Sequence, residues 1–523
     1  MGRTEENFRP IRAVIEAQAG AWPDKAYVHS IEQGKTLTYA GLRDLGNRMA
    51  QYLRDRGLEA NDRVVMLSEN SVEFMAVFLG VQRHGATIAT ANVEMNRDHI
   101  AEIVTAVAPK LVLIQDGLGL EALVRGASGA DCLPLGEWRE EGGSTGFFGA
   151  LEGYSGDVDP EEVSGPEDIA VIFYTSGTEA KPKGVLQSHR SVWANFDGIA
   201  DCVAMTPADR ILECRSYTWL SAQNMSLGAP LVAGATVYFA KKFSRSRYFD
   251  WIRDDRITIA TSVPTILNIL MTEPVAVKGG DLPELKFLMT SSAPMLPERW
   301  REFEDMYGIR VCQSYGCSEA GLMCSHRGAA RKIGTVGLPL KHQRLRLLDR
   351  DGYEVPDGEP GEITVSGPQL TSGYLKPEGS VEVLPRDGHR TGDLGVRDED
   401  GHISVVGRLK DLIIRGGVNI SPVEIDNVLS RHPEIIEGAT VGIPDKIYGD
   451  EVVAYVVAKA GSGLSPQDVI AHCGRFLAPF KMPKDVRFVD ALPKNARGKL
   501  DREALARAWP AAETAGTVER EGA

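Results

Sequence analysis

No apolar run in this chain is long enough to cross a membrane; the best one, Leu227 to Ala240, falls short of the roughly 20 residues a spanning helix needs. The opening MGRTEENFRP has no apolar core of a signal peptide, so the expected address is the cytoplasm, with no stable membrane insertion. Paired cysteines are also missing. Cys132, Cys202, Cys214, Cys312, Cys317, Cys324 and Cys473 are scattered, with no CxxC and no histidines at zinc spacing, which points to reduced thiols. Nor is there an excess of positive charge: 58 Lys and Arg against 72 Asp and Glu leave a net charge of -14, which argues against a nucleic-acid partner. The basic and aromatic stretch from Lys241 to Arg256 is broken by Asp250, Asp254 and Asp255 and reads as a solvated helix face. Two common nucleotide signatures are wanting as well. No Gly-Lys-Ser/Thr completes a Walker A loop, and the lone GxGxxA match, Gly117 to Ala122, reads as an ordinary loop-to-helix connection.

What is present is α/β patterning over 523 residues, a length that predicts about three domains or subdomains. Arg63 to Leu67 reads as a strand, Val72 to Arg83 as a helix and Lys110 to Ile114 as a second strand. Composition shifts near Arg408-Leu-Lys-Asp411. The expected organisation is a large, multi-subdomain N-terminal domain over 1–409, a small mobile α+β domain over 410–508, and a disordered tail over 509–523. In the small domain, Ser421-Pro-Val-Glu424 and Ser465-Pro-Gln-Asp468 each combine an N-cap serine, proline at the first helical position and an acid at the third, so each should open a helix. Strands are expected near Val452 to Ala458 and Val486 to Val489.

The strongest local feature is Ile169 to Val185, an apolar strand running into a loop of hydroxyls, glycines and lysines. Such a loop suits a triphosphate: glycines let the backbone approach, the hydroxyls of Thr175, Ser176 and Thr178 can donate, and Lys181 or Lys183 can neutralise charge. Read alone, the competing and less favoured reading is a polar turn between a strand and a helix.

Tyr174-Thr-Ser-Gly-Thr178 followed by Pro182-Lys-Gly184 resembles the phosphate loop of the superfamily of adenylate-forming acyl-CoA synthetases, adenylation domains and firefly luciferase. Further signatures follow in that family's order: Tyr315-Gly-Cys-Ser-Glu319, Thr391-Gly-Asp393, the hinge-like Gly407-Arg-Leu-Lys-Asp411, Gly416-Gly417 with Asn419, and Pro493 to Lys499. The similarity runs from about Thr36 to Arg502, and Gln223 to Ser246 looks most like fatty-acyl or carnitine-type CoA ligases.

The resemblance implies an acid–thiol ligase that uses ATP, Mg2+ and coenzyme A, forming acyl-AMP and pyrophosphate and then the acyl thioester. It implies that Lys499 bridges the substrate carboxylate and the α-phosphate, that Glu319 and Thr178 serve the metal, and that Ser318 offers a hydroxyl to the phosphates. ATP or AMP would be met by Thr175, Ser176, Gly177, Thr178 and Lys183 in the loop, by Ser292, Ala293 and Pro294 beside adenine, and by Ser314, Tyr315 and Gly316 beneath it. Asp393 and Arg408 would reach the ribose. Tyr217, Trp219, Ser221, Gln223, Ser291, Gly316 and Cys317 would line the acyl pocket, and His189, Gly416 and Gly417 the coenzyme A tunnel, with Lys410 as the hinge. The chemistry explains the company these residues keep: carboxylate attack on a phosphate brings anions together, so positioned cations lower the barrier.

Two segments depart from the family pattern. Glu179-Ala180 stands where Thr-Gly is usual, and Trp219 stands at a usual histidine position in Arg215 to Asn224. No cation for a second carboxylate is evident beside that segment, so the pocket is expected to take an uncharged acyl body. The alternatives are adenylation without thioester formation, transfer to a carrier protein or a thioesterifying partner enzyme, and a non-catalytic nucleotide-binding module. The last would predict damaged motifs, whereas Lys499, Glu319 and Asp393 are all present. A homodimer is left open.

Overall fold

The computed structural model describes residues 8–175, 183–327, 330–385, 388–494 and 500–509. The strand expected at Arg63–Leu67 forms, and Val64, Val65, Met66 and Leu67 in it are all buried. Such apolar side chains on both faces are what a parallel strand covered on two sides demands. The following helix, Val72–His84, starts where the Ser71 hydroxyl accepts the Phe74 N–H and stops at Gly85, whose φ of 103° a side chain would resist.

These elements belong to an eight-stranded sheet ordered Val381–Val383, Gly373–Leu375, Lys183–Ser188, Ile169–Thr175, Thr87–Thr90, Arg63–Leu67, Leu111–Ile114, Asp131–Pro134. The last five run parallel, and the first three are joined antiparallel. A seven-stranded sheet runs Val311–Gln313, Phe287–Thr290, Ile259–Ser262, Arg210–Glu213, Thr236–Phe239, Ala26–Ser30, Lys35–Thr38 and is parallel except at the final pair. A three-stranded antiparallel piece and a four-stranded sheet complete the N-terminal part. In the stretch from Lys241 to Arg256, the helix Tyr248–Asp254 buries Tyr248, Phe249, Trp251 and Ile252. Its aromatics therefore serve the core, and its acids and arginines pair on the surface, as Arg253 does with Asp250 and Asp254.

The chain divides into two units, one of residues 1–295, 300–391 and 395–405, the other of 296–299, 392–394 and 406–523. The second unit is α+β. Its sheet runs Val418–Ile420, Ile413–Arg415, Gly449–Ala458, Ile435–Asp445, with Asp485–Phe488 also pairing with Gly449–Ala458. Helices Pro422–Leu429 and Pro466–Cys473 bury Ile425, Val428, Leu429, Val469 and Cys473 with Ile413, Ile420 and Val452 of the sheet. Both start where the Ser-Pro-x-acid pattern predicts. Ser465 and Asp468 form the full reciprocal cap, whereas the Ser421 hydroxyl donates to the Val406 carbonyl and caps nothing. All seven cysteines are free thiols, and no helix among the described residues is long and apolar enough to cross a membrane.

Candidate functional site

Strands Ile169–Thr175 and Lys183–Ser188 pair antiparallel with Thr175 opposite Lys183, so residues 176–182 join neighbouring strand ends. Ser176, Gly177 and Thr178, with Glu179, Ala180 and Lys181, lie outside the described residues, and Thr175 is described only in its backbone. Lys183 is exposed. Ser188 then caps the helix His189–Cys202 by accepting the Ser191 N–H. His189 opens that helix with its Nε2 buried and without a partner among the described residues. Burial, only partly offset by Asp168, pulls its pKa down to about 4, so its imidazole is neutral at pH 7.

Beside this pair lies the segment that carries Glu319. Tyr315–Cys317 and Gly321–Ser325 form an antiparallel pair in which a side chain at Gly316 would meet the Gly321 carbonyl oxygen at 2.2 Å, so only glycine fits. Glu319 sits in the turn between them. Its carbonyl accepts the Thr371 N–H at 2.7 Å, and its Oε1 accepts the Tyr374 hydroxyl at 2.6 Å. Tyr374 belongs to Gly373–Leu375, which pairs with Lys183–Ser188, so the carboxylate is fixed from the strand next to the loop. The Ser318 carbonyl accepts from Gln187 at 3.4 Å, a second tie to the same strand. Sequence reasoning missed Tyr374, because a tyrosine in a short apolar strand carries no distinguishing signal.

Ser291 to Pro294 follow the strand Phe287–Thr290. Ser292 takes a φ of 75°, exposed, and the Ala293 carbonyl accepts from Gln313 at 3.2 Å. Ser314 is buried, its hydroxyl 2.8 Å from that of Ser325.

The segment 214–224 divides into buried and half-buried side chains. Tyr217 is fully buried against Phe74 and Phe239, with its hydroxyl donating to the Ser226 carbonyl, which makes its ring part of the core. Gln223 is buried too; its amide donates to the Tyr217 carbonyl at 2.8 Å and to Thr90, while its Oε1 has no partner among the described residues. Trp219 and Ser221 are half-buried. The Trp219 carbonyl accepts from Ala222 and Gln223 at the start of a short helix, so the backbone is held while the indole stays partly open.

The segment holds one buried cation, Arg215, but Glu213 takes up its charge, so the expectation of an uncharged acyl body is not overturned. Arg215 is buried, and its Nη1 lies 3.3 Å from the Ser221 hydroxyl and 3.4 Å from that of Ser291. Its charge is already matched: Nε and Nη2 donate to the two oxygens of Glu213 at 2.9 and 2.6 Å. Glu213 also accepts the backbone N–H groups of Cys214 and Arg215 and the Ser226 hydroxyl. Burial opposes the Glu213 charge, yet the guanidinium and these donors outweigh it and hold the carboxyl below the usual range. The site therefore gains an Arg–Glu unit with no net charge.

In the second unit, Asp393 is buried and its Oδ1 accepts from Arg408 Nε at 2.6 Å. Gly416 and Gly417, with φ of 58° and 81°, make the turn between Ile413–Arg415 and Val418–Ile420, where left-handed backbone requires glycine. Lys410 is exposed, 3.5 Å from Glu503. Lys499 lies outside the described residues.

Comparison with known proteins places these features in one family. The model for AMP-binding enzymes matches residues 15–375, and that for the AMP-binding enzyme C-terminal domain matches residues 424–499. A sulfoacetate–CoA ligase of Cupriavidus necator is 34% identical over 511 residues, which cover 96% of this chain and 98% of the relative. ScoC of Streptomyces coeruleorubidus, a fatty acid–[acyl-carrier-protein] ligase, is 31% identical over 496 residues, covering 91% and 92%. Among solved structures, ATP-bound MatB from Rhodopseudomonas palustris aligns with a TM-score of 0.84 at 29% identity, covering 95% of this chain and 98% of that one. With both family models matched in order and relatives aligned over nearly their full length, the chain belongs to the family of AMP-binding enzymes.

Proposed function

We propose that the chain is an ATP-dependent carboxylic acid–CoA ligase. The observation that carries the reading is the Tyr374–Glu319 hydrogen bond, which ties the one carboxylate of the Tyr315 to Glu319 motif to the strand beside the phosphate loop. In the first step a carboxylate oxygen of the acid attacks the α-phosphorus of ATP, and pyrophosphate leaves. In the second, the coenzyme A thiol attacks the acyl carbon, its proton passes to solvent, and AMP leaves.

Family membership and the motif positions support the assignment of roles. Lys499 meets the charge that accumulates between carboxylate and phosphate, and Ser176, Gly177, Thr178 and Lys183 receive the phosphates. Glu319 and Thr178 offer the oxygen donors that a hard cation such as Mg2+ takes; bound there, the ion would neutralise phosphate charge. Asp393, already paired with Arg408, presents its carboxylate to the ribose hydroxyls. Lys410 serves as the hinge between the half-reactions, and the Gly416-Gly417 turn faces the pantetheine.

Transfer to a carrier-protein thiol is the second reading, and it draws on the 31% identity to the carrier-protein ligase ScoC. A panel of carboxylic acids assayed separately for pyrophosphate release and for acyl-CoA formation tests both. Acid-dependent pyrophosphate release followed by acyl-CoA supports the proposal. Release without acyl-CoA turns the assignment to the carrier, and no acid-dependent release from any acid overturns it.

A further inference from the structure

Cys317 closes the strand Tyr315–Cys317, Glu319 sits two residues on, and His389 opens the strand His389–Arg397. A sulfur, a carboxylate oxygen and a ring nitrogen from these three residues all lie within 4.8 Å of one another, and all three residues are half-buried. Around a tetrahedral zinc ion with bonds of about 2.0 to 2.3 Å, such atoms stand about 3.3 to 3.7 Å apart, so side-chain rotations of about an ångström close the shell. We propose that Cys317, Glu319 and His389 form a binding site for a thiophilic divalent cation of the zinc type, and that its occupation stops adenylation by engaging Glu319.

The donor set argues for this ion class. Thiolate, imidazole and carboxylate together select a borderline-soft cation, whereas Mg2+ takes oxygen alone. The Tyr374 hydroxyl holds one carboxylate oxygen of Glu319 at 2.6 Å and orients the other, the role an outer partner plays around metal ligands. Three protein ligands leave the fourth position to water, and half-burial gives a hydrated ion access. The other acid–histidine cluster, Asp398, Asp400 and His402, differs in already holding a cation: the Lys332 ammonium lies 2.6 and 3.3 Å from its two carboxylates. No such group fills the space between Cys317, Glu319 and His389 among the described residues.

The inhibitory half rests on the functional reading above; the binding half does not. The test titrates Co2+ into the metal-free full-length protein and follows the sulfur-to-cobalt charge-transfer band, then displaces the cobalt with Zn2+. One cobalt per chain is expected, with the band lost in Cys317→Ser and the affinity at least about tenfold weaker in His389→Asn. Absence of the band in a folded protein, or a band that both substitutions leave intact, overturns the site. With Mg2+ in excess, Zn2+ should abolish ATP–pyrophosphate exchange over the concentration range in which it displaces cobalt, and His389→Asn should need at least about tenfold more. Full exchange at zinc saturation overturns the inhibition. If no acid supports exchange in any variant, the functional reading fails while the cobalt band still decides the site.

Discussion

Removing both members of the buried Glu213–Arg215 pair together should cost less than the sum of removing each alone. Glu213 is completely buried, and Arg215 side-chain exposure is 2%. In Arg215→Met the carboxylate loses two charge-assisted hydrogen bonds, of 2.9 and 2.6 Å, and keeps only the Cys214 and Arg215 N–H groups and the Ser226 hydroxyl. A buried charge stripped of its partner in this way costs about 3 to 5 kcal/mol. In Glu213→Gln the same logic strands the guanidinium. In the double variant neither charge remains, so the total should fall below the sum of the single losses by about 1 to 3 kcal/mol. Urea unfolding followed by tryptophan fluorescence measures all four proteins. Because Arg215 Nη1 also reaches Ser221 and Ser291, the double variant should fold yet change its kcat/KM for the acid. Additive losses, or an Arg215→Met protein within about 0.5 kcal/mol of the parent, would refute the reasoning.

Stability should also fall as pH drops from about 6.5 to 4. Burial lowers His189 and His326 from 6.5 to about 4, so within that window the unfolded chain binds the protons and stability rises with pH, by up to about 2.7 kcal/mol per pH unit for the two together. Unfolding midpoints at pH 7, 6 and 5 check the sign; a flat profile contradicts it. Lys410→Pro should leave adenylate formation intact while slowing thioester formation, because proline restricts φ at the hinge, and acyl-AMP should accumulate in single-turnover assays. Equal loss of both steps would mean that the hinge lies elsewhere. Trp219→His should keep the fold, since the Trp219 backbone makes the local hydrogen bonds, and should shift acid preference or speed thioester formation from preformed acyl-AMP. A stable variant with neither change returns the indole to packing alone.

The fold was legible where pattern and burial agree. Arg63 to Leu67 reads as a strand because every side chain after Arg63 is apolar, and the capping pattern at Ser465 located a helix to the residue. Ser421 carries the same pattern, but its hydroxyl goes to a distant carbonyl, a choice that local sequence does not encode. At the site, Glu319 and Asp393 announce themselves by ordered motifs. Their supporting contacts do not: Tyr374 reaches Glu319 across 55 positions and His389 across 70, and the three lie on or beside strands of three different sheets, so their meeting depends on how those sheets pack. Arg215 was visible as a residue, while its neutralisation by Glu213 two positions earlier depended on both side chains turning inward.

The central claim, that this chain forms an acyl adenylate with a lysine meeting the charge between carboxylate and α-phosphate, is tested most directly by acid-dependent ATP–pyrophosphate exchange in the parent protein and in Lys499→Ala. One positioned cation contributes about 3 to 4 kcal/mol to such a developing anion. Exchange should therefore fall by a factor on the order of 10² to 10³ in a variant whose unfolding midpoint is unchanged. Exchange at the parental rate in folded Lys499→Ala would contradict the account.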